Sequence, residues 1–137
     1  MHRQRWLAKA LIAASLAAFC SLSQADYTDD TSQSVTVEKQ VGIASYYSDK
    51  FHGRRTASGE RYDKNALTAV HSHLPFGTLI KVTNLRNHRT VELRVNDRKH
   101  AHNRRLLDVS KRAAQELGFV GSGLAKVEIE ILRLGDT

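Results

Sequence analysis

From Val91 to Asp97 the chain alternates strictly, with apolar Val91, Leu93 and Val95 separated by Glu92, Arg94 and Asn96. A period of two over that length marks a strand with one face on a core and excludes an amphipathic helix there. Asp97 keeps the parity of the apolar set, so it is expected to point towards the core side just where the strand ends. A carboxylate partly withdrawn from water holds its proton more tightly. An acid still protonated near neutral pH is what glycosidic-bond cleavage needs. The same position also suits an Asp that merely caps the turn after a strand.

Other elements follow from the same periodicities. Gly42–Tyr47, Leu67–His71, Leu79–Leu85, Thr90–Asn96 and Leu124–Leu132 read as strands, the last with Val127, Ile129 and Ile131 facing inward. Arg86-Asn87-His88-Arg89 joins two of them as a hairpin. Ser48–Lys64 and Arg98–Arg104 are polar loops. Ser110 is placed to cap a helix that ends at Gly118, with Val109, Ala113, Ala114 and Leu117 on its apolar face. Many short strands and one short helix predict a mainly β domain closed into a small barrel.

Several segments, in order, resemble the rare lipoprotein A (RlpA) family. They are Gly42-Ile43-Ala44-Ser45-Tyr46-Tyr47, the stretch from Phe51 to Asp63, Asn65 to His71, Leu74 to Thr78, Val82-Thr83-Asn84-Leu85, Val95-Asn96-Asp97-Arg98, and Arg105 to Ser110. The resemblance implies a six-stranded double-psi β-barrel, a fold shared with barwin-like and expansin-like domains. It also implies a periplasmic, endolytic lytic transglycosylase that cuts the MurNAc–GlcNAc bonds of peptidoglycan glycan strands. Fold alone does not settle this, since expansin-like barrels bind polysaccharide without hydrolysing it. A non-catalytic peptidoglycan-binding module is therefore the alternative. Where relatives follow Asn-Asp-Arg with Gly-Pro, this chain has Lys99-His100.

By resemblance Asp97 is the catalytic acid and base, with His71 and Glu60 as the other catalytic positions. His71 is expected to hydrogen-bond Asp97 or the sugar, and Glu60 to orient substrate or stabilise developing positive charge. Gly59 is expected to let the backbone come close to a ligand. Asn96 and Arg98 flank the acid and are expected to hold it or to contact sugar hydroxyls. Tyr47 and Tyr62 are expected to stack on pyranose rings. Arg105 and Asp108 look like an ion pair that ties a loop to the helix start. His71-Ser72-His73 and His100-Ala101-His102 each place two imidazoles on one face of an extended chain, but no cysteine accompanies them and no metal site or cofactor is assigned.

The basic start with Arg3, Arg5 and Lys9, the apolar run Leu11–Leu22 and the small residues of Ser23-Gln24-Ala25 read as a signal peptide over residues 1–25. Residues 26–40, rich in Ser, Thr and Asp, read as a flexible linker, and residues 41–134 as the barrel domain. The one cysteine, Cys20, follows Phe19, too bulky for a lipoprotein cleavage site, so lipid anchoring at Cys20 is disfavoured and a monomer without a stable membrane anchor is expected. A net charge of +7, concentrated between Lys81 and Arg112, suits attraction to the carboxylates of the wall, or is a solvated face. Nucleic acid is not an expected partner of an exported chain.

Overall fold

Alternation becomes burial in each long strand. In the computed structural model, which describes residues 37–100 and 102–136, β1 is Lys39–Tyr46, β2 Thr68–His71, β3 Leu79–Asn84, β4 Thr90–Arg98, β5 Leu107–Val109 and β6 Ala125–Arg133. Ile80 and Val82 of β3, Leu93 and Val95 of β4, and Val127 and Ile129 of β6 are fully buried, while Lys81, Arg94 and Glu128 between them are not. The expected signal peptide, its expected cleavage point and Cys20 lie outside the described residues, as does most of the expected linker. Lys39 and Gln40, placed in that linker, are the first residues of β1.

The strands close in the order β1-β5-β2-β4-β3-β6. Pairs β1/β5 and β2/β4 are parallel and the other four are antiparallel. This is the expected six-stranded double-psi barrel, and closure leaves no free sheet edge. One helix, α1, runs from Lys111 to Leu117 and buries Ala113, Ala114 and Leu117 against the barrel. The Ser110 side chain accepts the Ala113 N–H, and Gly118 ends the helix at φ 77°. Both caps are those expected.

Three features differ from the sequence reading. β5 is not foreseen from the sequence, because three residues carry too little pattern to mark a strand. Its pairings, Ala44 with Leu107 and Ala69 with Val109, join it to distant parts of the chain. β4 also runs two residues beyond Asn96, so Asp97 and Arg98 belong to the strand and not to the loop. Finally, β4 carries a bulge: Ala69 lies opposite Val95 but Val70 opposite Asp97, which leaves Asn96 as the extra residue. Among the described residues no helix is long and apolar enough to cross a membrane.

Candidate active site

The bulge decides how the end of β4 is presented. An inserted residue breaks the two-residue parity of a strand, so Asp97 does not simply continue the inward set of Val91, Leu93 and Val95. Asn96 is the buried residue, at 3% exposure, and the Asp97 side chain reaches a cleft of about 280 Å³. Tyr47, Phe51, Arg54, Arg55, Thr56 and Tyr62 complete its walls.

Three donors hold the Asp97 carboxylate. The Tyr47 hydroxyl donates to Oδ2 at 2.5 Å. The backbone N–H groups of Ala57 and Arg98 both donate to Oδ1 at 2.8 Å. Among the described residues, no Lys, Arg or His forms an ion pair with it. Burial, reinforced by the hydrogen bond to Asp97 and its charge, pushes the Tyr47 phenol well above its ordinary range, so it remains a donor. Tyr47, expected as a sugar-stacking ring, thus meets the Asp97 carboxylate.

Ala57 is delivered by a tight turn. Thr56 N–H donates to Glu60 O at 2.7 Å and Gly59 N–H to Thr56 O at 3.0 Å. Gly59 has φ 89°, a left-handed conformation that a residue with a Cβ adopts reluctantly. Open space surrounds the point where its Cβ would be. The positive φ, and not a crowded neighbour, is what calls for glycine in this turn.

Glu60 follows in the same loop, and its carboxylate is already engaged. Both oxygens accept from Arg94, at 2.6 and 2.8 Å, and Oε2 also accepts from Asn96 Nδ2 at 3.2 Å. The Arg94 hydrogen bonds outweigh the opposing effect of burial and, with a lesser contribution from Asn96, hold the Glu60 carboxyl below the usual carboxylate range. Asn96 also accepts the Ser58 N–H through its backbone oxygen at 3.3 Å. It is a buried brace between loop and strand, and its side chain meets Glu60 and not Asp97. Arg94 was not singled out from sequence, since it sits on the outward parity of β4 where a charge is ordinarily just solvated.

His71 lies at the end of β2, 4% exposed. Its Nδ1 accepts the N–H groups of His73 and Leu74, both at 3.1 Å. Burial, and after it the charges of His73, Lys99 and Arg98, lower its pKa to about 4. A neutral imidazole that accepts at Nδ1 carries its proton on Nε2. No hydrogen bond joins His71 to Asp97, and His71 is not among the cleft's walls, so the expected direct contact is not made. His71 faces Arg98 across the parallel pair instead.

Arg98 is likewise turned from the role expected for its side chain. Its guanidinium donates to the carbonyls of His71 at 3.2 Å and Leu74 at 2.7 Å and lies 4.6 Å from the Phe76 ring centre. Only its backbone N–H holds Asp97. Tyr62 is 3% exposed, packs 4.8 Å from the Tyr47 ring, and accepts the Lys111 N–H at 3.2 Å through its hydroxyl. A ring so enclosed has no free face for a pyranose; it forms the cleft floor behind Tyr47. The Arg105–Asp108 pair forms as expected at 3.3 Å, and Ser45 donates to the same carboxylate.

The profile of the family described as lytic transglycolase matches residues 39–129. Over 91 residues the chain is 55% identical to the endolytic peptidoglycan transglycosylase RlpA of Neisseria meningitidis serogroup B, a match covering 66% of this chain and 38% of that protein. Over 100 residues it is 49% identical to the protein of the same name from Campylobacter jejuni, covering 73% and 36%. The chain thus spans less than two-fifths of the length of these relatives. Among solved structures, a mutant Clavibacter michiganensis expansin in complex with cellohexaose is similar at a TM-score of 0.57 and 21% identity, covering 73% of this chain and 54% of that one. Streptomyces papain inhibitor is similar at a TM-score of 0.55 and 21% identity, covering 72% and 98%. At such identities the two structures speak for the fold alone.

Proposed function

This chain belongs to the lytic transglycolase family, and on that premise we propose that it is an endolytic peptidoglycan lytic transglycosylase with Asp97 as its single acid and base. The observation that carries the assignment is a contrast between two carboxylates. Glu60 is bound by the Arg94 guanidinium through both oxygens, whereas Asp97 faces the cleft with no ion-pair partner among the described residues. A group that must give and then take a proton cannot be locked to an arginine.

In the proposed reaction, protonated Asp97 gives its proton to the oxygen that bridges MurNAc C1 and the next GlcNAc. The C1–O bond breaks, and the departing sugar keeps that oxygen as a hydroxyl. The carboxylate left on Asp97 then takes the proton of the MurNAc C6 hydroxyl as its oxygen bonds to C1, closing a 1,6-anhydro ring. No second carboxylate nucleophile is needed, unlike hydrolases that use a close pair, and the steps require no cofactor.

Tyr47 and the two backbone N–H groups hold the carboxylate at one orientation, the principal means by which a lone acid gains efficiency. Glu60 is a positioning residue: through Arg94 and Asn96 it fixes the loop that brings Ala57 to Asp97. His71 supports the turn beneath Arg98, its Nδ1 accepting from the N–H groups of His73 and Leu74. The same reading puts the protein outside the cytoplasm, in the periplasm, as a monomer cut after Ala25 with no lipid on Cys20. Release of 1,6-anhydro-muropeptides from purified sacculi tests the activity. Binding of sacculi without such release would instead support a non-catalytic module.

A further inference from the structure

A second cavity, of about 470 Å³, lies at the far end of β4 from Asp97. Arg86 and Asn87 of the hairpin, Gly118 and Phe119 after α1, and Leu124 and Lys126 at the start of β6 are among its walls. Asp97 is seven residues along β4 from Thr90, where the hairpin ends, so the two sites are roughly 20 Å apart at about 3.3 Å per residue.

The charge in this cavity is unbalanced. Arg86 and Lys126 line it, and Arg89 lies over Gly118: a Cβ on that glycine would come within 2.8 Å of Arg89 Nη1. None of these three cations has an ion-pair partner among the described residues, and no acid lines the cavity. The acids close by in sequence are committed elsewhere, Glu116 to Arg112 at 2.7 Å and Glu128 to Lys39 at 3.1 Å. The negative end of α1 is answered from within, since Asn84 and Asn87 both donate to Leu117 O, at 3.0 and 2.9 Å. The amides are therefore spent on structure and the cations are not. One wall is apolar, with Leu124 52% exposed. Unpaired cations beside an apolar wall suit a carboxylate carried on an aliphatic backbone.

We propose that this cavity is a second, non-catalytic site that binds a peptide-borne carboxylate, of the kind that wall stem peptides present. The source of the ligand rests on the function proposed above; the chemistry of the site does not. With glycan in the Asp97 cleft, the opposite pole of the barrel is free to grip a stem peptide of a neighbouring strand.

A free stem tetrapeptide, titrated into isotope-labelled full chain and followed by NMR, tests this. Amide shifts are expected at Gly118, Ser122 and Lys126 and not at Ala57 or Asp97. The peptide with its carboxylates amidated is expected to cause none. Arg86→Ala combined with Lys126→Ala should weaken binding roughly tenfold, as the loss of two exposed charge contacts implies, while release of anhydro products from peptide-free glycan stays at the parent rate. Shifts confined to the Asp97 cleft, equal binding of the amidated peptide, no saturable shift at all, or an affinity within twofold in the double variant would each overturn the proposal. Peptide binding is read without turnover, so an inactive but peptide-binding protein would count against the enzymatic reading and not against this site.

Discussion

The Tyr47 hydroxyl lies 2.5 Å from Asp97 Oδ2 and joins the end of β1 to the end of β4 across fifty residues of chain. Removing that hydroxyl alone tests whether the bond positions the acid. Tyr47→Phe keeps the ring packed on Phe51 and Tyr62, so the fold should persist. Turnover is expected to fall roughly tenfold through loss of one charge-assisted hydrogen bond, with sacculus binding unchanged. A matching loss of binding would mean that Tyr47 serves the sugar and not the acid.

Glu60→Gln separates positioning from proton transfer. The amide oxygen can still accept from one Arg94 N–H and from Asn96, but the NH2 group meets the other Arg94 N–H and the charge is gone. The ion pair is 44% exposed on both side chains, so its loss should cost no more than about 1 kcal/mol of stability. Turnover is expected to drop a few-fold, far less than for the acid itself. A loss as large as that of an Asp97 variant would make Glu60 a participant in the chemistry.

Much of the barrel was legible in the sequence. Val91, Leu93 and Val95 announced β4, and Ser110 and Gly118 bounded α1, because alternation and caps are local signals. β5 was not legible: Leu107-Asp108-Val109 is stabilised by strands more than thirty residues away. The bulge at Asn96 was equally hidden. One inserted residue reversed the assignments of Asn96 and Asp97, and a reading that assumes strict parity cannot foresee it. Family resemblance singles out Glu60, His71 and Asp97, but their partners are not legible in the sequence. Arg94, Ala57 and Tyr47 reach them through tertiary contacts that no spacing encodes. Arg98 and Tyr62 look like ligand contacts by residue type and proximity, yet backbone carbonyls and buried packing claim them first.

Arg98→Ala should therefore act on stability before activity. Two carbonyl contacts and the stack on Phe76 would vanish, while the backbone N–H to Asp97 remains. The expected destabilisation is roughly 2 kcal/mol, seen as a lower midpoint in urea. Turnover per folded molecule should fall less than tenfold. A large loss of turnover with unchanged stability would return Arg98 to the substrate.

The His71 environment predicts a pH dependence of folding. Its pKa falls from 6.5 to about 4 in the folded state. Below about pH 6.5 the unfolded chain takes up a proton that the folded chain resists, so stability present at neutral pH is lost as pH falls from about 6.5 to 4. His71→Asn offers an oxygen in place of Nδ1 and does not titrate. The wild type should lose roughly 2 kcal/mol more than this variant across that window, measured by urea unfolding at several pH values. Parallel curves would show that His71 is not the group responsible.

Asp97→Asn tests the central claim most directly. The amide oxygen can accept the Ala57 and Arg98 N–H groups, so the cleft should keep its shape, but the side chain can neither give nor take a proton. Release of 1,6-anhydro-muropeptides from sacculi should fall on the order of a hundredfold or more, with thermal stability and sacculus binding close to those of the parent. Turnover within a few-fold of wild type would contradict the account and remove Asp97 from the reaction.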